Sequence, residues 1–149
     1  MANYSKLDLA NTVIDAIYLS NDYEAELGGE SGVNTWATTN FGGDKWLKTS
    51  FNTHLNENAN GGVPFRKNYG GIGMTYNADI DGFVFDRPFD SWILNATIGA
   101  YEAPTARPSD TCHWDEDTTS WISDPVVAED TEQSVLDNYE AALNTDATI

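Results

Sequence analysis

Basic residues are scarce in this chain of 149 residues. Seven lysines and arginines stand against 24 aspartates and glutamates, which gives a formal net charge of −17 at neutral pH. This acidic excess disfavours nucleic acids and anionic membranes as partners, because both are negatively charged. It is compatible with a basic protein surface as the partner, or simply with a solvated surface. After Arg107 the sequence has eleven acidic residues and neither lysine nor arginine.

Cysteine, histidine and long apolar runs are also scarce. The single cysteine, Cys112, excludes an internal disulfide and a zinc site built from cysteines, and it is expected to be a buried or half-buried structural thiol. His54 and His113 lie far apart without the spacing of metal ligands. We therefore predict no cofactor and no metal. The first residues are polar and no apolar run approaches a membrane span, so we expect no signal peptide and a soluble protein made in a cytoplasm.

Three copies of one short pattern occupy the middle of the chain, at residues 76–83, 94–101 and 114–121. Each begins with a large apolar residue, continues with Asn or Asp, a free position and Asp or Thr, and closes on an aromatic residue. Asn, Asp and Thr after a strand favour turns, so the pattern predicts three hairpins that together form one antiparallel β-meander. The expected cross-strand pairs are Tyr76 with Phe83, Leu94 with Tyr101, and Trp114 with Trp121.

The rest of the sequence predicts an α+β fold around these hairpins. The expected elements are strands at 12–19, 46–51 and 65–76, helices at 21–27 and 31–41, a polar loop at 52–62 and a last helix from residue 130. Asp124-Pro125 breaks the sheet. We therefore predict a single α+β domain over residues 1–124, with the hairpin repeats at 74–124. Residues 125–149 are expected to be an acidic helical docking segment.

No motif in the sequence supplies a catalytic group. Residues 77–82 match the first six positions of a calcium loop, but Pro88 stands where the closing carboxylate is required. Residues 77–82 and the acidic turn 115–117 could each be a purely structural turn or a weak cation site, and the sequence leaves both possibilities open. A pair of carboxylates of the glycosidase type also stays open, although Asp15 is expected to face solvent. His113 is expected to be a satisfied structural histidine.

The chain contains five tryptophans and seven tyrosines. Aromatic faces stack on pyranose rings, so these residues suit a sugar-binding platform. They also suit the interior of a small β-protein, because aromatic side chains dominate core energetics. Their fixed places in the three copies of the pattern favour the core.

From residue 46 onward the chain resembles a family of small, mostly uncharacterised structural proteins of marine tailed bacteriophages, especially cyanophages. Five sequence blocks carry the resemblance in this order: Trp46-Leu-Lys-Thr-Ser-Phe-Asn52, Phe65-Arg-Lys-Asn-Tyr-Gly-Gly-Ile-Gly-Met-Thr-Tyr-Asn77, Pro88-Phe-Asp-Ser-Trp-Ile-Leu-Asn95, Tyr101-Glu-Ala-Pro104 and Trp114-Asp-Glu-Asp-Thr-Thr-Ser-Trp121. The resemblance covers roughly residues 46–122. It implies a phage protein encoded among structural genes and belonging to the particle, and it brings no catalytic residues.

We therefore expect a non-enzymatic virion structural protein, assembled in the host cytoplasm and docked in multiple copies on the capsid, neck or tail. Its partners would be other phage structural proteins. An acidic phage effector that binds a host protein, a sugar-binding tail module and, last, a small hydrolase are the alternatives. The partner-binding residues are expected on the apolar stripe of the last helix: Val135, Leu136, Tyr139 and Leu143.

Overall fold

The computed structural model describes residues 1–126 and 132–146 and shows a mixed α+β protein, which confirms the fold class at that level. Most of the strands are only two to four residues long and lie in small antiparallel sheets. The elements are β1 (Ala2–Leu7), β2 (Val13–Leu19), α1 (Asn21–Leu27), α2 (Glu30–Phe41), β3 (Lys45–Thr49), β4 (Thr53–His54), β5 (Glu57–Asn58), β6 (Thr75–Asn77), β7 (Gly82–Val84), β8 (Ile93–Asn95), β9 (Ala100–Glu102), β10 (Cys112–Asp115), β11 (Ser120–Ser123) and α3 (Glu132–Asp146).

The chain divides into two compact units. The first unit is Met1–Ala106, which holds the elements from β1 to β9. The second unit is Arg107–Ile149, and its described part holds the hairpin β10–β11 and the helix α3. The domain boundary expected after residue 124 stays a prediction.

A three-stranded antiparallel sheet with the order β2–β1–β3 forms the base of the first unit. The sequence predicts β2 and β3, and both predictions are confirmed. It does not predict the central strand β1, because Asn3, Ser5 and Lys6 interrupt its apolar pattern. The strand is fixed instead by pairing with residues distant in the chain, from Ala2 opposite Leu19 on one side and from Asn3 opposite Thr49 on the other.

The helices α1 and α2 cover one face of this sheet. Helices were expected at 21–27 and 31–41, and the structure confirms both. Ser20 caps α1 by accepting the Tyr23 N–H, and Gly29 precedes α2, which begins at Glu30, one residue before the expected start. The buried cluster beneath the helices consists of Ala2, Tyr4, Leu19, Val33, Ala37 and Trp46.

The opposite face of the sheet is covered by an irregular segment, 65–74, and by the hairpin β6–β7. The continuous strand expected at 65–76 is wrong, because only Thr75–Asn77 is extended and paired. The backbone of Gly70 is bound to the sheet instead: its carbonyl accepts the Ser5 hydroxyl at 2.5 Å and its N–H donates to Thr49 Oγ1 at 2.7 Å. A Cβ at Gly70 would lie 2.5 Å from the ring of Phe83, so glycine permits this close approach.

Short hairpins make up the remaining strands of the described chain. The polar loop expected at 52–62 contains one of them, β4–β5, with Thr53 opposite Asn58. The expected meander is wrong, because β6–β7, β8–β9 and β10–β11 are three separate two-stranded sheets. The register of the three hairpins places Tyr76 opposite Phe83, Leu94 opposite Tyr101, and Trp114 opposite Trp121.

Candidate functional site

The helix α3 carries the residues expected to bind a partner. Leu136, Tyr139 and Leu143 are spaced so that they share one side of a helix with about 3.6 residues per turn. They remain 49%, 63% and 50% exposed, respectively. Val135 lies in the same helix, but its side chain is outside the described residues. A row of half-exposed apolar side chains on one side of a helix is suited to lying on another surface.

The C-terminal end of α3 lacks a charge that would stabilise the helix. Its last turn contains no basic residue, so no positive charge complements the negative end of the helix dipole. Asp137 and Glu140 stand beside the apolar row, and no lysine or arginine follows Arg107. A basic surface is therefore the type of partner that would stabilise this helix most.

The segment that resembles a calcium loop is used as a turn. Asn77 Oδ1 accepts the N–H of Asp79 at 3.0 Å, which is a local Asx turn. Asp81 Oδ1 accepts Arg66 Nε–H at 3.0 Å and the Tyr76 hydroxyl at 2.5 Å. The second acidic turn is similar, because Asp115 Oδ2 accepts the Thr118 N–H at 3.2 Å. These carboxylates therefore stabilise the hairpins that carry them.

Arg66 is the centre of a charged network in the first unit. Its guanidinium donates to Glu30 Oε1 at 2.5 Å and to the Lys48 carbonyl at 2.8 Å, besides its bond to Asp81. Only 13% of the Arg66 side chain is exposed. Burial alone would lower the pKa of Arg66, but the hydrogen bonds and charges of Glu30 and Asp81 outweigh burial and raise it. Arg66 thus stays charged and joins α2, β3 and the β6–β7 turn.

The same network shifts the pKa values of its acidic members. The hydrogen bond from Tyr76, followed by the charge of Arg66, lowers the pKa of Asp81, and partial burial opposes this shift. Burial, reinforced by the bond to Asp81, raises the pKa of Tyr76 to about 12. Burial and a hydrogen bond to Glu24 raise the pKa of Tyr4 above its ordinary value. Each shift has a structural cause in these contacts.

Asn68 is a buried polar residue that connects three segments of the first unit. Its side-chain N–H groups donate to the carbonyls of Phe83, Ile98 and Gly99 at 2.9, 3.0 and 3.2 Å. Its side-chain oxygen accepts the N–H of Leu55 at 2.7 Å. All its hydrogen-bonding groups are therefore used, as expected for an amide that is 1% exposed. The sequence gives no local signal for this role, since the bonded residues lie up to 31 positions away.

The remaining candidates for chemistry also have local partners. His113 Nδ1 lies 2.6 Å from Asp124 Oδ1, and the pair is half-exposed. Cys112 is buried, as expected, and its sulfur lies 3.4 Å from Ser109 Oγ. Asp15 faces solvent, also as expected, and its carboxylate accepts the Ala16 N–H. In residues 1–126 and 132–146, no three His, Cys, Asp or Glu side chains gather in a way that could hold a metal ion.

The tryptophans and tyrosines named as a possible sugar platform are divided between the interior and the surface, where Tyr18, Tyr23 and Tyr139 are exposed. Trp46, Tyr4, Tyr76 and Trp114 are buried. The rings of Trp114 and Trp121 meet edge to face at 5.4 Å, a favourable arrangement for an aromatic pair. A different aromatic residue, Phe51, is 71% exposed and lies in a groove of the first unit. That position was not apparent in the sequence, because the groove joins residues from four separate segments.

No family model, curated protein or solved structure matches the chain. Among the described helices, none has the length and apolar character needed to cross a membrane. The geometry thus defines an acidic α+β protein with short hairpins and a half-exposed apolar row on α3.

Proposed function

We propose that this chain is a non-enzymatic structural protein of a tailed-phage particle, docked in multiple copies on the capsid, neck or tail. The row Leu136, Tyr139 and Leu143 on α3 is the observation that carries the proposal. An acidic helix with this row has a use only if it lies on another surface. The resemblance of residues 46–122 to phage structural proteins supports the particle as the place of that surface.

The energetics of α3 favour docking. A helix of 15 residues is marginal in water when its own packing does not support it. Leu136, Tyr139 and Leu143 are each about half exposed, so burying the rest of their apolar surface would stabilise the helix by about 25 cal/mol per Å². The surrounding acidic residues would steer the helix toward a basic surface and disfavour other partners.

We also propose that the three hairpins are variants of one repeated unit and that α3 is an acidic docking helix. The sixth position of each copy, occupied by Asp81, Gly99 and Thr119, has a positive φ of 45°, 66° and 48°. The shared backbone geometry and the shared cross-strand pairing support a common origin of the three hairpins. A non-enzymatic role is supported by the carboxylates of Glu24, Glu30 and Asp81, which are engaged in hydrogen bonds within the fold.

The second candidate function is that of an acidic phage effector bound to a basic host protein. The same row on α3 and the same acidic excess favour it. The two functions differ in where the protein is found, since a structural protein remains with the purified particle and an effector remains in the infected cell. The assembly of the particle in the host cytoplasm is part of the first proposal only.

Deletion of residues 125–149 tests the docking role. We expect the truncated protein to remain folded and to incorporate weakly into particles, as measured by thermal unfolding and by immunoblotting of purified particles. Normal incorporation of the truncated protein would contradict the docking role. Outright unfolding would show that α3 belongs to the core of the second unit.

A pair of point variants makes the same test without deletion. Leu136→Ser combined with Tyr139→Ser alters the apolar row, whereas Asn138→Ala alters the opposite side of a helix with about 3.6 residues per turn. We expect the double variant to lose incorporation and the Asn138→Ala control to retain it. Equal incorporation of both variants would exclude the row as the contact.

A further inference from the structure

A groove in the first unit has the composition of a site for small polar ligands. It is an open groove of about 280 Å³, and its lining residues include Phe51, Phe65, Asn3, Asn21 and Asn52. Its lining residues lie in β1 and at the residue before it, at the start of α1, in β3 and the turn that follows it, and at Phe65, the residue before Arg66. We propose that this groove binds a neutral saccharide of one or two rings. This inference does not depend on α3 or on the proposed place of the protein in the particle.

The aromatic component of the groove is exposed and held in place. Phe51 is 71% exposed, and its ring meets Tyr69 edge to face at 5.3 Å with an interplanar angle of 72°. The guanidinium of Arg66 lies 5.0 Å from the centre of the Phe65 ring. Arg66 bonds to Glu30 and Asp81, so the Phe65 ring lies against a side chain that is held in place. Rings that are already ordered lose little conformational entropy on binding a sugar face.

The polar component supplies hydrogen bonds for hydroxyl groups. A primary amide offers two N–H donors and an oxygen acceptor, which suits vicinal hydroxyls because they both donate and accept. Within the described part of the chain, the side-chain amides of Asn3, Asn21 and Asn52 make no hydrogen bond, so their capacity is available to a ligand. A single exposed phenylalanine would be unremarkable on a protein surface. Three available amides beside two rings in one groove are the combination that selects a saccharide.

Charge and size restrict the ligand further. Lys48 contributes a positive charge to the lining, but its ammonium lies 2.6 Å from Glu24 Oε1 and is neutralised there. The net charge of −17 also repels anions. The volume is close to the lower limit of ligand pockets, about 300 Å³. Met1 also lines the groove, so the case for a neutral ligand rests on the neutralised Lys48 and on the net charge of the whole chain. A neutral ligand with one or two sugar rings fits the volume of the groove, and the net charge disfavours a sugar phosphate.

The test is an NMR titration of the full chain, labelled with ¹⁵N, with cellobiose, maltose, lactose and N-acetylglucosamine. We expect at least one of these sugars to shift the side-chain amide signals of Asn3, Asn21 and Asn52, with a Kd of about 1 mM. Glucose and glucose 6-phosphate are titrated in the same way, and the phosphate ester should bind more weakly than glucose. If none of the neutral sugars shifts these signals, or if the phosphate ester binds more tightly, the inference is wrong.

Matched variants show whether the effect comes from the groove. Phe51→Ala and Ile72→Ala both remove a side chain that is 71% exposed, but Ile72 does not line the groove. We expect Phe51→Ala to raise the Kd at least tenfold and Ile72→Ala to leave it unchanged. Asn52→Ala, which retains the ring of Phe51, should also weaken binding. Unchanged affinity in both groove variants would overturn the inference, and it would leave the proposed docking of α3 untouched.

Discussion

Asn68 shows how a single polar residue organises an irregular region. The segment 65–74 has little regular structure, and Arg66 and Lys67 adopt positive φ values of 50° and 67° immediately before Asn68. Non-glycine residues rarely adopt such angles, and doing so costs about 1–3 kcal/mol at each position. The four hydrogen bonds of the Asn68 side chain offset this cost and hold the segment in place.

Replacement of Asn68 by alanine should therefore be strongly destabilising. The change leaves the Leu55 N–H and the Phe83 carbonyl without their partner, at about 1–3 kcal/mol for each buried group, whereas the Gly99 carbonyl still accepts the Phe85 N–H. We expect the free energy of unfolding to fall by about 3 kcal/mol or more, as measured by urea denaturation. The exposed Asn60→Ala serves as the control, with an expected change within about 0.5 kcal/mol. Equal effects of the two variants would show that the Asn68 bonds contribute little.

The pair Tyr76 and Asp81 should make stability depend on pH. The pKa of Tyr76 is raised from 10.0 to about 12 by burial and by its bond to Asp81. Because the folded pKa exceeds the unfolded one, the stabilisation is complete below pH 10 and is lost as the pH rises toward about 12. The pKa of Asp81 is lowered below 3.8, so its stabilisation is present above pH 3.8 and is lost as the pH falls further.

Tyr76→Phe tests both limbs of this dependence. We expect a shallower loss of stability between pH 10 and about 12 than in the natural protein, and a smaller loss below pH 3.8. The variant Tyr18→Phe, at a ring that is 69% exposed, controls for the general effect of removing a hydroxyl. Unfolding curves recorded across the pH range give the comparison. Parallel pH profiles for Tyr76→Phe and the natural protein would refute the role of the bond.

At the scale of elements, the three hairpins share a positive φ at the same position of their turns, although a different residue type occupies that position in each. The residue with positive φ is Asp81 in the first turn, Gly99 in the second and Thr119 in the third. In the second turn, close packing is an additional reason why the residue is glycine. A Cβ at Gly99 would lie 2.7 Å from Asn68 Nδ2 and 2.8 Å from the Phe83 carbonyl oxygen. The second hairpin is thus held to the first through a contact that excludes any side chain.

Gly99→Ala should destabilise the protein more than a glycine replacement in an open turn. The added methyl group makes the positive φ unfavourable by about 1–2 kcal/mol. Its close contacts add an overpacking cost of about 1–3 kcal/mol. Gly61 has a similar φ of 75°, but a Cβ there would meet no atom within 4 Å. We expect Gly61→Ala to lower the melting temperature slightly and Gly99→Ala to lower it clearly further. Similar shifts in calorimetry would mean that the contact at Gly99 relaxes at little cost.

Local patterns predicted the elements whose causes are local. The strands β2 and β3 follow from runs of β-branched and apolar residues, and the ends of α1 and α2 follow from the glycines that stop them. The strand β1 was missed because its polar residues pair with residues nine or more positions away. The separation of the three hairpins into different sheets was also not predictable, because the sequence of a short strand does not determine which other strand it pairs with.

The candidate sites, like the elements, were predictable only where their residues are close together in the sequence. The half-exposed row on α3 was predictable, because its residues share one helix and one period. The network around Arg66 was not, because it joins Glu30, Lys48 and Asp81 across the first unit. The groove at Phe51 likewise combines residues from positions 3, 21, 52 and 65. Contacts between residues this far apart in the chain leave no periodic signal in a single sequence.

At the scale of the whole molecule, charge is the dominant property. A net charge of −17 over 149 residues keeps copies of the protein apart unless a basic surface brings them together. Multiple copies on a particle therefore require sites on other proteins rather than contacts between like-charged copies. The acidic composition and the exposed row on α3 therefore both favour the proposed docking on the surface of another protein.

The most direct test of this role is quantitative mass spectrometry of phage particles purified from infected host cells. We predict that the protein is present in the particles, with a copy number that matches a symmetric ring or lattice of the capsid, neck or tail. Absence from purified particles, together with abundance in the infected cell, would contradict the structural role and favour the effector.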